Sequence, residues 1–132
     1  MKRFKDLFED AEDFLSSAKD LFQTKRWSKA CFLCQQAAEI AVKGALNAIG
    51  RERKGHDVHR LLEELGRYKE EVLQFIDDAK MLDQYYIPTR YMNAFAEGSA
   101  KAHFTERQAK EAIEIAERII SEMKRMSYGT EG

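Results

Sequence analysis

Residues able to do chemistry gather at three places in this chain. Arg51, Arg53, Lys54, His56, His59 and Arg60, in "RERKGHDVHR", form the only dense positive cluster. Cations this close together could hold a phosphate through charge-assisted hydrogen bonds, helped by the amino end of a helix starting just after Asp57. The plainer role is a solvated basic loop that caps its neighbours. The second place is "LDQYYIPTRYM", residues 82–92, which sets Arg90 among Tyr85, Tyr86 and Tyr91 and contains the only proline, Pro88. An arginine there could pair with a phosphate while a tyrosine stacks on a base. In the alternative, the tyrosines glue the loop to the protein and Arg90 binds loose carbonyls or Asp83. The third is His103, alone near the start of the last helical pattern.

Other constellations read as structure. Cys31 and Cys34 are three apart in "ACFLCQQ", but a metal would need two further ligands and no second pair exists; they read as small apolar residues of a reduced core, and no metal is expected. Glu63 with Glu64, Glu70 with Glu71, and Asp77 with Asp78 are neighbours on helices and diverge by about 100°, as solvated faces do. There is no glycine-rich phosphate loop, no His-x-x-x-His pair and no nucleophile elbow, so no cofactor is expected. A net charge of −1 gives no global drive toward nucleic acid or anionic membrane, so any phosphate binding must come from a local cluster.

The elements that position these residues are helical. With 44% apolar and 34% charged residues, one proline and seven glycines, the 132 residues read as one all-α domain over 1–132. The amino terminus lacks the apolar core of a signal peptide and no run reaches transmembrane length, so a cytoplasmic protein without membrane contact is expected. Phe4, Leu7, Phe8, Ala11, Phe14, Leu15, Ala18, Leu21 and Phe22 recur at helical spacing over about 2–23. A second helix runs from about 27 to 48, with Gly50 as its left-handed stop. Its polar residues Ser28, Lys29, Gln35, Gln36, Glu39, Lys43 and Asn47 span an arc of roughly 120°, and most of the remaining circumference is apolar. Such a helix is either central to a bundle or covered by a second copy through residues such as Phe32 and Ile40.

Asp57 is expected to cap a short third helix carrying Val58, Leu61, Leu62 and Leu65, which Gly66 ends. A fourth should run from about 67 to 85 with Val72, Ile76, Ala79 and Leu82 inward. Thr105 and Gln108 form a Thr-x-x-Gln capping box before a fifth, with Ala109, Ala112, Ile113, Ala116, Ile119, Ile120 and Met123 on its inner face. The tail "SYGTEG" has little to bury and is expected to fray. About twenty residues join the last two helices, and their aromatic content predicts a loop laid down on the bundle.

Three segments in order, "WSKACFLCQQAAEIAVKGAL", "GHDVHRLL" and "LDQYYIPTRYMNA", make the chain resemble the HEPN (higher eukaryotes and prokaryotes nucleotide-binding) domains. The resemblance runs from the first helix through the fifth. It implies an antiparallel bundle of four to five helices with a long aromatic loop before the last, homodimerisation, and nucleotide or RNA binding. It also implies association with a small nucleotidyltransferase in a toxin–antitoxin-like pair. Phosphate or nucleotide contacts then fall to Arg90, Tyr86, Tyr91, Arg53, Lys54 and His59. Many members are metal-independent ribonucleases with an Arg-x(4–6)-His motif late in the bundle. Arg51 and His56 meet that spacing but lie between the second and third helices, while His103 is separated from Arg90 by twelve residues. Met92 stands where such relatives more often continue "RYP".

Overall fold

The computed structural model describes residues 2–86 and 100–129. Its elements are α1 (Lys2–Gln23), α2 (Trp27–Ala48), α3 (Val58–Gly66), a 3-10 turn (Glu70–Phe75), α4 (Ile76–Asp83), a second 3-10 turn (Ala100–His103) and α5 (Glu106–Gly129). Together they make an all-α antiparallel bundle. The expected aromatic loop before the last helix falls largely in 87–99, outside the described residues.

Helix α2 is the axis. It packs chiefly against α1 and α5, and it also touches α3, α4 and the second 3-10 turn. Its excess apolar circumference therefore has partners within one chain: Ala30, Cys31, Cys34, Ala37, Ala38, Ala41, Val42 and Leu46 are buried. Small residues on this face let α1 come close. A Cβ added at Gly44 would sit 3.2 Å from the Phe8 ring, so the ring occupies the space a side chain would need.

The ends of the two long helices follow from local chemistry. After α2, Gly50 adopts φ +78, the Gly50 amide donates to Asn47 O and the Arg51 amide to Leu46 O, closing the expected left-handed cap. Lys25 does the same after α1 at φ 62, with the Lys25 amide on Phe22 O and the Arg26 amide on Leu21 O. The Thr105–Gln108 box forms as expected: the Gln108 amide donates to Thr105 Oγ1 (3.2 Å) and the Thr105 amide to Gln108 Oε1 (3.0 Å).

Three expectations change. The fourth helical pattern is broken, because the backbone at Lys69 (φ −135, ψ 84) is not helical and the chain restarts as a 3-10 turn. Its three-residue period puts Val72 and Phe75, both buried, on one side. Gly66 does end α3, but not as a left-handed stop; a Cβ there would meet the end of the exposed Leu73 side chain, which would have to move aside. The carboxyl tail is helical through Gly129 because it does find something to bury against: Tyr128 packs on Phe4 and Phe8, with ring centroids 5.5 and 5.9 Å apart.

Candidate functional site

Several residues of the polar arc of α2 are interior. Gln35 is fully buried and Glu39 is 5% exposed, because α3, α4 and the loop between α2 and α3 close over them. Buried polar groups must be hydrogen-bonded, and these two organise everything around them. Gln35 Nε2 donates to the His56 carbonyl (2.6 Å) and to Asp83 Oδ1 (3.0 Å), while its Oε1 accepts from Gln36 Nε2 (2.8 Å). Glu39 accepts from Lys43 Nζ at 2.9 Å and from Gln36 Nε2 at 3.2 Å, and meets His56 Nδ1 at 3.3 Å through both oxygens. A carboxylate only accepts, so Nδ1 of His56 carries the proton and Nε2 is left as the basic ring nitrogen. The imidazole also stacks on Tyr86, centroids 4.9 Å apart and planes 17° from parallel, and Tyr86 in turn meets Phe32 at 6.1 Å. His56 is thus fixed on two sides while its side chain stays 57% exposed.

Asp83, from α4, is the second organiser. Its Oδ1 accepts from the Val58 amide (2.8 Å) and its Oδ2 from the His59 amide (3.0 Å) and His59 Nδ1 (2.7 Å). So the amino end of α3 is capped, but by a residue 25 positions further along the chain. Asp57 occupies the N-cap position without a side-chain cap bond and leans toward Arg60 at 3.5 Å. This overturns two expectations. Asp57 is not the capping side chain, and the amides of Val58 and His59 are already spent on a carboxylate and cannot receive a phosphate.

An open groove of about 300 Å³ lies beside this network, lined by Arg53, Lys54, Gly55, His56, Asp57, Arg60, Leu61 and Glu64. Arg53 reaches Glu64 at 3.3 Å, which holds the Glu64 carboxyl below its usual range. Arg60 shares Asp57. Lys54 has no counter-charge among the described residues. Positive charge in the groove is therefore partly compensated, with Lys54 lacking a counter-charge among the described residues and one edge of His56 exposed.

The helical bundle as a whole has counterparts. The sequence matches the HEPN domain model over residues 4–126. The chain belongs to the HEPN family. TT1696 from Thermus thermophilus is similar in structure, with a TM-score of 0.91 and 36% identity over 96% of this chain and 99% of that one. An archaeal HEPN homologue, ST0689, gives 0.76 and 39%, covering 94% of this chain and 97% of its own. A HEPN domain protein from Thermotoga maritima, TM0613, gives 0.73 and 29%, covering 91% and 95%. No curated protein matches the sequence at a significant level.

Within this HEPN bundle the residues singled out by sequence separate. Arg53, Lys54 and His56 share the groove. His59 is turned to Asp83 and half-buried. Arg51 lies over the Tyr68 ring, guanidinium carbon 4.7 Å from the centroid, and is not among the groove residues, although His56 is. Tyr86 joins the site through His56. His103 is exposed at the end of the second 3-10 turn, just before Phe104, which packs on Tyr85 at 5.6 Å. Arg90 and Tyr91 lie outside the described residues. Sequence reasoning missed Gln35, Glu39 and the use made of Asp83. The available signal was the same excess apolar circumference: a central helix has no fully solvated face, so its Gln and Glu must be paired indoors. Among the described residues no cluster of His, Cys, Asp or Glu could hold a metal, and no helix is long and apolar enough to cross a membrane.

Proposed function

We propose that this HEPN domain, spanning 1–132, is a cytoplasmic binding module that receives a phosphate-bearing ligand, a nucleotide or a segment of RNA. The ligand sits in the groove of Arg53, Lys54, His56 and Arg60. The observation that carries this reading is His56, stacked on Tyr86 and anchored by buried Glu39 beside the uncompensated Lys54. A fixed flat ring beside an unpaired ammonium suits a base and its phosphate. Arg90 and Tyr91 join the ligand set on sequence grounds, and His59 acts indirectly by tying α3 to Asp83. In keeping with the family, the module works as a homodimer alongside a small nucleotidyltransferase in a toxin–antitoxin-like pair. Affinity capture from native lysate, with identification of bound protein and bound nucleotide, tests this. Recovery of a nucleotidyltransferase and a phosphate ligand from the native chain is expected, and the ligand should be lost with Lys54→Ala.

A second reading is favoured by the same pair. Glu39 on Nδ1 orients His56 with a basic Nε2, the arrangement a general base needs, so a metal-independent ribonuclease is the alternative. In that case Arg51 would have to leave Tyr68 to serve the phosphate, or His103 would take part. Incubating RNA with the protein under chelator decides it: cleavage abolished by His56→Ala establishes the ribonuclease, and absence of cleavage leaves a binding module.

A further inference from the structure

Two buried carboxylates beneath the α3 groove each hold a histidine in the same way. Glu39, on α2, meets His56 Nδ1 at 3.3 Å, and Asp83, on α4, meets His59 Nδ1 at 2.7 Å. Amides join the two carboxylates: Gln36 Nε2 donates to Glu39 and to Gln35 Oε1, and Gln35 Nε2 donates to Asp83. A hydrogen-bonded chain thus crosses from α2 to α4 with an imidazole at each end. Each carboxylate can only accept, so each Nδ1 carries a proton and each Nε2, on the far side of its ring, is turned outward. Both rings reach solvent, with side chains 57% and 24% exposed. His56 lines the groove of about 300 Å³ and His59 an open hollow of about 490 Å³, and Arg60 and Glu64 border both, so the two rings open onto one stretch of surface.

The carboxylates differ in what already answers their charge. Glu39 is paired with Lys43 Nζ at 2.9 Å, so a second proton on His56 would find that charge already met. Asp83 receives only neutral donors besides the His59 ring, from Gln35 and from the backbone of Val58 and His59, so its full charge faces that ring. Of the other charged groups around His59, Arg60 is paired with Asp57 and Arg67 with Glu64, and Glu63 adds a negative charge.

We propose that His56 and His59 are the base and the acid of one RNA-cleaving site. This rests on the ribonuclease reading above and completes it without Arg51 or His103. The described residues of the two hollows include no serine, threonine or cysteine, whereas an RNA strand brings its own nucleophile, the ribose 2′-hydroxyl. His56 Nε2 takes the proton of that hydroxyl, and the 2′-oxygen forms a bond to the adjacent phosphorus. The bond from phosphorus to the 5′-oxygen breaks, and the leaving oxygen takes the Nε2 proton of the His59 imidazolium. The products are a 2′,3′-cyclic phosphate and a 5′-hydroxyl. The rings finish with their protonation states exchanged, and proton transfer through water resets them. Lys54 and Arg60 supply positive charge for the phosphorane oxygens.

The test uses the full chain under chelator. Structured and unstructured RNA first locate a linkage that the native chain cleaves. That linkage is then made in two forms, ordinary and with sulfur in place of the 5′-bridging oxygen; a thiolate leaves without protonation, so the sulfur form needs no acid. His56→Asn and His59→Asn each keep an amide donor for the carboxylate and lack Nε2. On the ordinary linkage each should slow cleavage about 100-fold or more. On the sulfur linkage His59→Asn should regain most of the native rate while His56→Asn does not, and the regained rate also shows that the His59 variant is folded. A 2′-deoxy ribose at the linkage should abolish cleavage. No cleavage of any RNA by the native chain overturns the ribonuclease reading and this proposal together. Cleavage that His59→Asn leaves untouched, or a loss in His59→Asn that sulfur does not restore, overturns the role of His59 alone and leaves the ribonuclease reading standing.

Discussion

Asp83 shows how much one side chain can organise when it is placed late in the sequence. It accepts four hydrogen bonds, two of them from the amides that open α3, and shares Gln35 with the His56 carbonyl. Asp83→Ala should therefore leave several buried donors without partners and destabilise the fold by about 2–4 kcal/mol in urea titration, with Asp83→Asn milder because it keeps one acceptor oxygen. Cys31 and Cys34 make a different prediction. Burial pushes the Cys31 thiol to about 12 and raises Cys34 as well, and the Tyr85 phenol is pushed to about 12 for the same reason. Each holds its proton more tightly folded than unfolded. Stability from these groups is therefore complete below pH 9 and declines as pH rises from there toward 12, by up to about 1.4 kcal/mol per pH unit per group. Neither thiol should react with iodoacetamide at pH 8 until denaturant is added.

At the scale of elements, helical periodicity placed α1, α2, α3 and the start of α5 to within a residue or so, since their apolar stripes are encoded locally; the end of α5 runs further than expected, through Gly129. What stayed hidden was non-local. The restart at Lys69 and the packing of Leu73 over Gly66 depend on how α3 and α4 meet, and the cap on α3 comes from Asp83 on another helix. The buried polar network stayed hidden for the same reason: Gln35 and Glu39 are only part of a polar arc on the helical wheel, and it takes α3 and α4 to cover them. The close approach of α1 to α2 is equally testable. Gly44→Ala gains helix propensity worth about 1 kcal/mol but drives a methyl against the buried Phe8 ring. A net loss of about 1–2 kcal/mol is expected by thermal melting, and a gain would mean that α1 shifts without cost.

For the whole molecule, most of the second apolar side of α2 is covered from within, by α3, α4 and the 3-10 turn, but Phe32 and Ile40 remain only half-buried. The proposed homodimer would use that remainder. Sedimentation should give twice the 15.3 kDa chain mass at micromolar concentration, and Ile40→Lys should shift it toward monomer. A monomer at all concentrations would leave these two residues as ordinary surface hydrophobes.

The central claim is that the groove beside His56 binds a phosphate-bearing ligand. Fluorescence polarisation of a labelled single-stranded RNA and of a labelled nucleotide, titrated with the native chain and with the Arg53→Ala/Lys54→Ala double variant, tests it most directly. Both substitutions are on partly or fully exposed side chains, so the melting temperature should hardly move. The account predicts binding to at least one probe, weakening with salt, and a loss of about 1.5–3 kcal/mol in the double variant. A native chain that binds neither probe, or a double variant that binds as tightly as the native chain, would contradict it.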